Sequence, residues 1–215
     1  YIKYNQFNDA IRIAIKLNEE IYIKSAFLSC TSYSTQLQMA FQLGRSQKYL
    51  ESDSLKDEIK EIIFNRKLSD FYKQLTRSID IVQAKTPEEV FKSHLEEKKP
   101  EFKLESSKIN MSISLANGFI NAGFGTEALL SNRDQDWLAK NKEEGVVCAL
   151  ASLGLVCLWD VDSGPNELEK YMDSNESCPF KRGGYNLGLG ILSSGVKDDN
   201  NIALALLEDQ VKDKK

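Results

Sequence analysis

The stretch Ser152-Leu-Gly-Leu-Val156 decides the fold, because its pattern returns at a fixed interval on either side. Gly118 precedes Gly154 by 36 residues, and Gly190 follows it by 36. Each glycine has a small residue two positions before it and an apolar pair after it: Ala116, Ser152 and Gly188, then Phe119-Ile120, Leu155-Val156 and Ile191-Leu192. Self-similarity at such a period is typical of stacked repeats. The sequence therefore predicts about three repeats of period 36 in residues 109–215.

The small residues predict close contact between successive helices, since a helix face without bulk lets its neighbour approach. We expect Gly118, Gly154 and Gly190 to be the packing positions of the repeats. The later two copies also have the apolar pattern of a second helix, in which Leu168 and Tyr171 align with Leu204 and Leu207. In the first copy this pattern is not clear between residues 128 and 142. A chance register of three glycines is the alternative.

Upstream, apolar residues recur at helical spacing in four segments, beginning with Phe7, Ala10, Ile11, Ala14 and Ile15 and continuing around Ile23, Leu37 and Leu55. Thr86-Pro-Glu-Glu89 has the composition of a helix start with a capping box. A charged segment interrupted by Pro100 follows it. These patterns predict an all-α chain with a helical arm at 1–96, a charged linker at 97–108 and the repeats at 109–215.

Composition excludes several classes of partner and environment. The net charge is -4, with cations and anions interspersed, which argues against nucleic acid. Apolar runs are far shorter than the roughly 20 residues of a membrane span. The four cysteines form no CxxC pair, which favours reduced thiols. The chain opens at Tyr1, so we expect a piece of a longer, unsecreted protein.

Motifs for catalysis or metal binding are weak. Gly123-Phe-Gly125 fits a loose dinucleotide fingerprint, but it follows a helical segment, so a helix-ending turn is the better interpretation. Asp160-Val-Asp-Ser-Gly164 hints at a calcium loop, yet Tyr171 occupies the place of the final glutamate. We interpret it as a turn in which Asp162 or Ser163 caps the next helix.

Histidine and tryptophan also favour packing roles. His94 is the single histidine, which removes sites built from two imidazoles, and no nucleophile-elbow motif accompanies it. We interpret Trp137 and Trp159 as residues that pack in the core, in preference to residues on which a ligand stacks. We expect no enzyme activity, no cofactor and no metal.

Four motifs in order carry a family resemblance: Asn117-Gly-Phe-Ile-Asn-Ala-Gly-Phe-Gly125, Asp136-Trp-Leu-Ala-Lys-Asn-Lys142, Ala151-Ser-Leu-Gly-Leu155 and Leu158-Trp-Asp-Val-Asp-Ser-Gly164. They resemble the proteasome/cyclosome repeat family, the large scaffold subunits of the proteasome regulatory particle. The resemblance spans nearly the whole chain and is loosest between residues 48 and 86. It implies an α-solenoid in which a helical arm precedes the first repeats of a toroid.

Membership would imply a non-catalytic receptor in the cytoplasm and nucleus. The family's outer helices receive ubiquitin and the ubiquitin-like domains of shuttle factors, and the subunit docks on the proteasome ATPase subunits and joins other regulatory-particle subunits. Carried onto this sequence, the outer-helix positions are Glu127, Leu130, Glu167, Lys170, Glu208 and Asp209. Gly184-Tyr185 departs from the family's usual Gly-Ala, so we expect looser packing there. The alternative is a generic helical-repeat adaptor for protein interactions.

Overall fold

The computed structural model describes residues 1–91, 105–131, 136–172, 178–198 and 202–212, the last range mainly by its backbone. Eleven α-helices and one short 3-10 helix occupy these ranges, and no strand occurs within them. The predicted all-α class is confirmed. No helix in the described ranges is both long enough and apolar enough to cross a bilayer.

The chain forms two compact units, each with its own core. The first unit comprises Tyr1–Leu68 and a short segment that starts at Gly195. The second comprises Ser69–Ser194 and the last helix. The predicted arm extended to residue 96, and its described residues 69–91 group with the second unit.

The first unit contains a 3-10 helix, Ile2–Tyr4, and four α-helices: α1 Phe7–Leu17, α2 Glu20–Leu28, α3 Tyr33–Arg45 and α4 Asp57–Ile63. Their inward apolar side chains form one cluster that includes Ile11, Phe27, Met39, Ile59 and Ile63. Phe41 of α3 is half exposed. Met39 and Leu43 fill the core on that turn of α3.

The second unit contains seven helices: α5 Leu68–Ser78, α6 Pro87–Phe91, α7 Ser106–Ile120, α8 Glu144–Val156, α9 Gly164–Glu169, α10 Pro179–Leu192 and α11 Ile202–Lys212. Helix α8 packs against both α7 and α10. The three helices end at Ile120, Val156 and Leu192, and these ends lie 36 residues apart. The predicted period is thus the interval between the ends of successive inner helices.

A turn with positive φ follows each inner helix at the same period. Gly123, Trp159 and Gly195 have φ of 72°, 69° and 78°. The amide of Gly123 donates to the Leu155 carbonyl at 2.9 Å, and the amide of Trp159 donates to the Leu192 carbonyl at 2.8 Å. The first two turns are therefore hydrogen-bonded to the end of the next inner helix. The helix-ending turn predicted at Gly123 and Gly125 is confirmed.

Local start signals match the structure in detail. Thr86 Oγ1 accepts from the Glu89 amide at 3.3 Å, and Glu89 Oε2 accepts from the Thr86 amide at 2.8 Å. This is the predicted capping box of α6. Helix α7 begins at Ser106, inside the range predicted as linker. The remaining linker residues up to 104, and the predicted packing of His94, lie outside the described residues.

Candidate protein-binding surface

The repeats stack where the glycine of one copy meets the small residue of the next. A Cβ added at Gly118 would lie 2.9 Å from Ser152 Cβ. A Cβ added at Gly154 would lie 2.3 Å from the Gly188 carbonyl oxygen and 2.5 Å from its Cα. Neither position has room for a side chain, so these residues set the spacing of α7, α8 and α10.

Gly190 is not such a position, which corrects the prediction for the third glycine. A Cβ added there would meet no atom within 4 Å. The reason is that the repeated glycine of each copy packs against the repeated small residue of the following copy, two positions before that copy's own glycine. No helix in the described ranges presents such a residue to this face of α10.

The segment around Gly184 is tightly packed, against the expectation of a looser fit. A Cβ at Gly184 would lie 2.9 Å from Leu150 Cβ and 3.0 Å from Val147 Cα, both on α8. Tyr185 is buried in the cluster that also contains Leu189. The tyrosine therefore adds to the core instead of loosening it.

Glu127 is buried, with 8% of its surface exposed. Its Oε2 accepts from the amides of Leu129 at 2.7 Å and Leu130 at 2.8 Å, and its Oε1 accepts from the Ser131 amide at 2.8 Å. Asn117 Nδ2 also donates to Oε2 at 3.1 Å. The carboxylate thus satisfies backbone donors of its own loop.

The prediction of Glu127 and Leu130 as outer-helix binding positions is therefore wrong. Neither residue lies in a helix, and Leu130 is only 7% exposed, packed with Trp137 and Ala149. Both side chains leave only a small fraction of their surface exposed. The sequence could have suggested the loop, because the first copy lacks a clear second helix.

Helix α9 has one apolar and one charged side. Leu168 is fully buried in the cluster with Leu153 and Leu192, whereas Glu167 and Lys170 reach solvent and pair with each other at 2.6 Å. Both predicted charged positions of the middle copy are thus accessible. Glu169 is exposed beside this pair and adds a further negative charge.

The turn before α9 is fixed by Asp160, not by the predicted Asp162 or Ser163 side chain. Ser163 is the N-cap residue but makes no side-chain cap bond. Asp160 Oδ1 accepts from the Ser163 amide at 3.0 Å and from its hydroxyl at 2.7 Å, and Oδ2 accepts from Lys73 Nζ at 2.7 Å. Burial works to raise the pKa of the Asp160 carboxyl, but these donors outweigh it and the pKa is lowered.

Helix α11 presents a mixture of exposed apolar and acidic side chains. Leu204 and Leu206 are 48% and 36% exposed, and Glu208 is exposed on the following turn. Ala203 and Leu207 pack on the core of the second unit. The side chain of Asp209 lies outside the described residues.

No group of side chains in the described ranges has the composition and spacing of a metal site. All four cysteines are free thiols. Burial raises the pKa of the Cys157 thiol to about 12, and the nearby Asp160 and Glu167 carboxylates add to the shift. A thiol with so high a pKa is a poor nucleophile.

Comparison with known proteins identifies the family. The family profile described as "RPN1 N-terminal domain" matches residues 1–96. The Arabidopsis thaliana 26S proteasome non-ATPase regulatory subunit 2 homolog B is 37% identical over 96% of this chain and 25% of its own length. Its Dictyostelium discoideum counterpart is 35% identical over 98% of this chain and 23% of its own length. The Neurospora crassa 26S proteasome regulatory subunit rpn-1 is 36% identical over 97% and 24%.

The chain belongs to the family of 26S proteasome non-ATPase regulatory subunit 2. It spans about a quarter of the length of these relatives. In this member of the regulatory subunit 2 family, accessible charge and apolar surface coincide on α11, while α9 offers charge alone. Sequence reasoning missed Leu204 and Leu206 as surface residues. Their spacing of two could have revealed them, since two such residues cannot both face the core of a helix.

Proposed function

We propose that this chain is a non-catalytic scaffold and receptor part of a proteasome regulatory particle. It binds ubiquitin and the ubiquitin-like domains of shuttle factors, and docks on the ATPase ring beside other regulatory-particle subunits. The similarity to relatives named as proteasome non-ATPase regulatory subunits supports this assignment. We further propose that it acts in the cytoplasm and the nucleus.

The single observation that carries the receptor role is the exposed surface of α11. Leu204 offers apolar contact beside the acidic Glu208, which follows it by one turn on the same face of the helix. Ubiquitin presents an apolar patch with a basic rim, so opposite charge would steer the encounter while apolar contact supplies most of the affinity. Glu167 and Lys170 on α9 form the second accessible part of this outer surface.

Stacking and binding then use different helices. Helix α8 is buried along most of its length between α7 and α10, so it serves the stack. Helices α9 and α11 each bury one face and leave the other free. A small, transient interface is expected, with a dissociation constant in the micromolar range. This corresponds to a favourable binding free energy of about 8 kcal/mol or less.

Titration of isotope-labelled ubiquitin with the full chain tests the receptor role. We expect NMR shifts in ubiquitin's apolar patch, weakened by charge reversal at Glu208 and Asp209 and by Leu204→Asn. Glu88→Lys is the matched control, because Glu88 is exposed on α6, which packs on α7. No shift with the folded wild-type chain, or equal weakening by the control, would refute the receptor role.

A pull-down with purified proteasome ATPase subunits tests the docking role separately. Retention of the ATPases is expected from a regulatory-particle scaffold. A chain that retains neither the ATPases nor ubiquitin would instead fit the generic helical-repeat adaptor.

A further inference from the structure

The first unit contains a groove beside α2 whose volume is about 750 Å³. This volume is typical of clefts that bind ligands, which range over about 300–1,000 Å³. Residues of α2 and residues 47–51, which follow α3, line most of the groove, and Asn18 and Lys197 complete it. All of them group with the first unit. We call this cavity the α2 groove.

Helix α2 carries apolar side chains both toward the core and toward solvent. Ile23 and Phe27 are buried in the first unit's core, whereas Ile21 is 76% exposed at the α2 groove. A helix that is apolar on all sides is normally covered on all sides. Leu50, which is 6% exposed, also lines the groove. The α2 groove therefore offers apolar contact to a ligand.

Lys197 is fixed at the α2 groove by its backbone and its side chain. Its amide donates to the Phe64 carbonyl at 2.9 Å, and its carbonyl accepts from Arg66 Nε at 3.1 Å. Its ammonium pairs with Glu51 and lies 5.3 Å from the ring centroid of Tyr49. The Glu51 carboxylate is thereby neutralised, and the pair adds no net charge to the groove.

Two further lysines give the α2 groove an excess of positive charge. Lys24 and Lys48 pair with no carboxylate in the described parts of the chain, and Lys48 Nζ donates instead to the neutral Asn18 side chain. Glu20, the remaining acid of the lining, lies in the first turn of α2, where the helix N terminus already stabilises a carboxylate. The chain as a whole carries a net charge of -4. A local excess of cations in an acidic chain favours an anionic ligand.

The backbone of residues 49–51 has no hydrogen-bond partner within the described ranges. These residues form no helix, turn or bend, and none of their amides or carbonyls is bonded to another described group. Backbone groups as closely covered as those of Leu50 nearly always have a partner. A second extended backbone in the groove would pair with alternate residues of this stretch, as one strand pairs with the next.

We propose that the α2 groove binds an extended peptide with alternating acidic and apolar side chains. Its backbone pairs with residues 49–51. Its carboxylates face Lys24 and Lys48, and its apolar side chains contact Ile21. Alternate side chains of an extended chain point to opposite sides, so the two kinds of contact can follow one another along the peptide. None of these residues belongs to α9 or α11, so this peptide site stands or falls independently of the ubiquitin receptor role.

Fluorescence anisotropy with the full chain measures the binding. The probe is a capped, fluorescein-labelled hexapeptide of alternating Asp and Leu, and we expect a dissociation constant in the micromolar range. Lys24→Met and Lys48→Met keep the apolar stem but remove the charge, so each should weaken binding about threefold to tenfold. Lys16→Met is the matched control, because Lys16 is an exposed lysine of α1 outside the α2 groove, and it should leave binding unchanged.

Changes to the peptide test the charge contacts and the backbone contacts separately. With Lys in place of Asp, binding should fall about tenfold or more. Two further peptides are N-methylated at the odd or at the even positions, which removes backbone donors and keeps every side chain. One of the two should bind about tenfold more weakly than the other, because only alternate residues of a strand pair with a given neighbour.

Methyl NMR of the full chain locates the site. The Ile21 methyl signals should shift as the acidic peptide is added, whereas those of Ile13, exposed on α1 outside the groove, should not. Lack of peptide binding by the folded full chain would overturn the proposal. So would equal binding of the acidic and basic peptides, unchanged binding in both lysine variants of the groove, equal binding of the two methylated peptides, or a shift at Ile13 instead of Ile21.

Discussion

At the residue scale, Gly154 is the residue whose size matters most. A side chain there would run into the backbone of Gly188, which cannot move aside as a flexible side chain would. Gly190 has the same place in the sequence pattern but open space around it. The two glycines therefore form a matched pair for mutation.

We expect Gly154→Ala to lower the free energy of unfolding by about 1–3 kcal/mol or more through overpacking. Gly190→Ala should raise it by about 0.5–1 kcal/mol, because alanine in an open helical position restricts the unfolded chain. Urea unfolding followed by circular dichroism measures both. Equal effects of the two substitutions would show that α8 and α10 do not touch at Gly154.

A second prediction at this scale concerns pH. The pKa of Asp160 is lowered in the folded chain, so its carboxylate stabilises the fold above the ordinary value of 3.8. That contribution is lost as the pH falls through the lowered pKa. Asp160→Asn should thus be less stable than wild type at neutral pH, and the two should converge in acid. Lys73→Met should move the loss to higher pH, because burial then acts with less opposition.

Urea midpoints measured from neutral pH to about pH 3 provide the comparison. Other carboxylates titrate in the same range, so the difference between variant and wild type isolates Asp160. A difference that stays constant with pH would contradict the assignment of the Lys73 and Ser163 hydrogen bonds to its ionised form.

At the element scale, α9 is anchored mainly by one large side chain, beside the buried Gly164 and Pro165. It has only six residues, too few to be stable alone, and its fully buried side chain is Leu168. Leu168→Ala should cost about 2–5 kcal/mol and remove hydrogen-exchange protection from α9. The matched change Leu187→Ala, at a half-exposed leucine of α10, should leave both nearly unchanged. Protection of α9 that survives Leu168→Ala would contradict this anchoring.

The elements also show which features a sequence can reveal. The 36-residue period could be predicted because small side chains recur where helix backbones touch. The Thr86 capping box could be predicted because its residues are close together in the sequence. The sequence did not reveal which recurring position packs against which. The glycine of one copy meets the small residue of the following copy, and this pairing depends on how far one helix is shifted along the next. For the same reason Gly190 was assigned a contact that it lacks.

Buried polar residues were the harder part of the site. An isolated glutamate is normally a surface residue, so nothing near Glu127 in the sequence signals that three amides converge on it. The hydrogen bond from Lys73 to Asp160 joins residues 87 positions apart, and no local pattern predicts it. The positive φ of Trp159 was not predictable either. The equivalent turn residues in the other two copies, Gly123 and Gly195, are glycines, whereas a tryptophan rarely adopts this conformation.

At the scale of the whole molecule, small residues stack the inner helices and the outer helices keep a free face. The placement of exposed Leu204 and Glu208 on α11 agrees with this division. The contact between repeat copies is the feature on which the stacking of α7, α8 and α10 depends.

Nuclear Overhauser spectroscopy of the labelled full chain examines that contact directly. Strong cross-peaks are expected between the α protons of Gly154 and Gly188, and between those of Gly118 and the side chain of Ser152, because the added Cβ positions fall so close to these atoms. Gly190 should show cross-peaks only within its own helix. Absence of the first two, in a chain that is otherwise folded and helical, would contradict stacking of the repeats through their small residues.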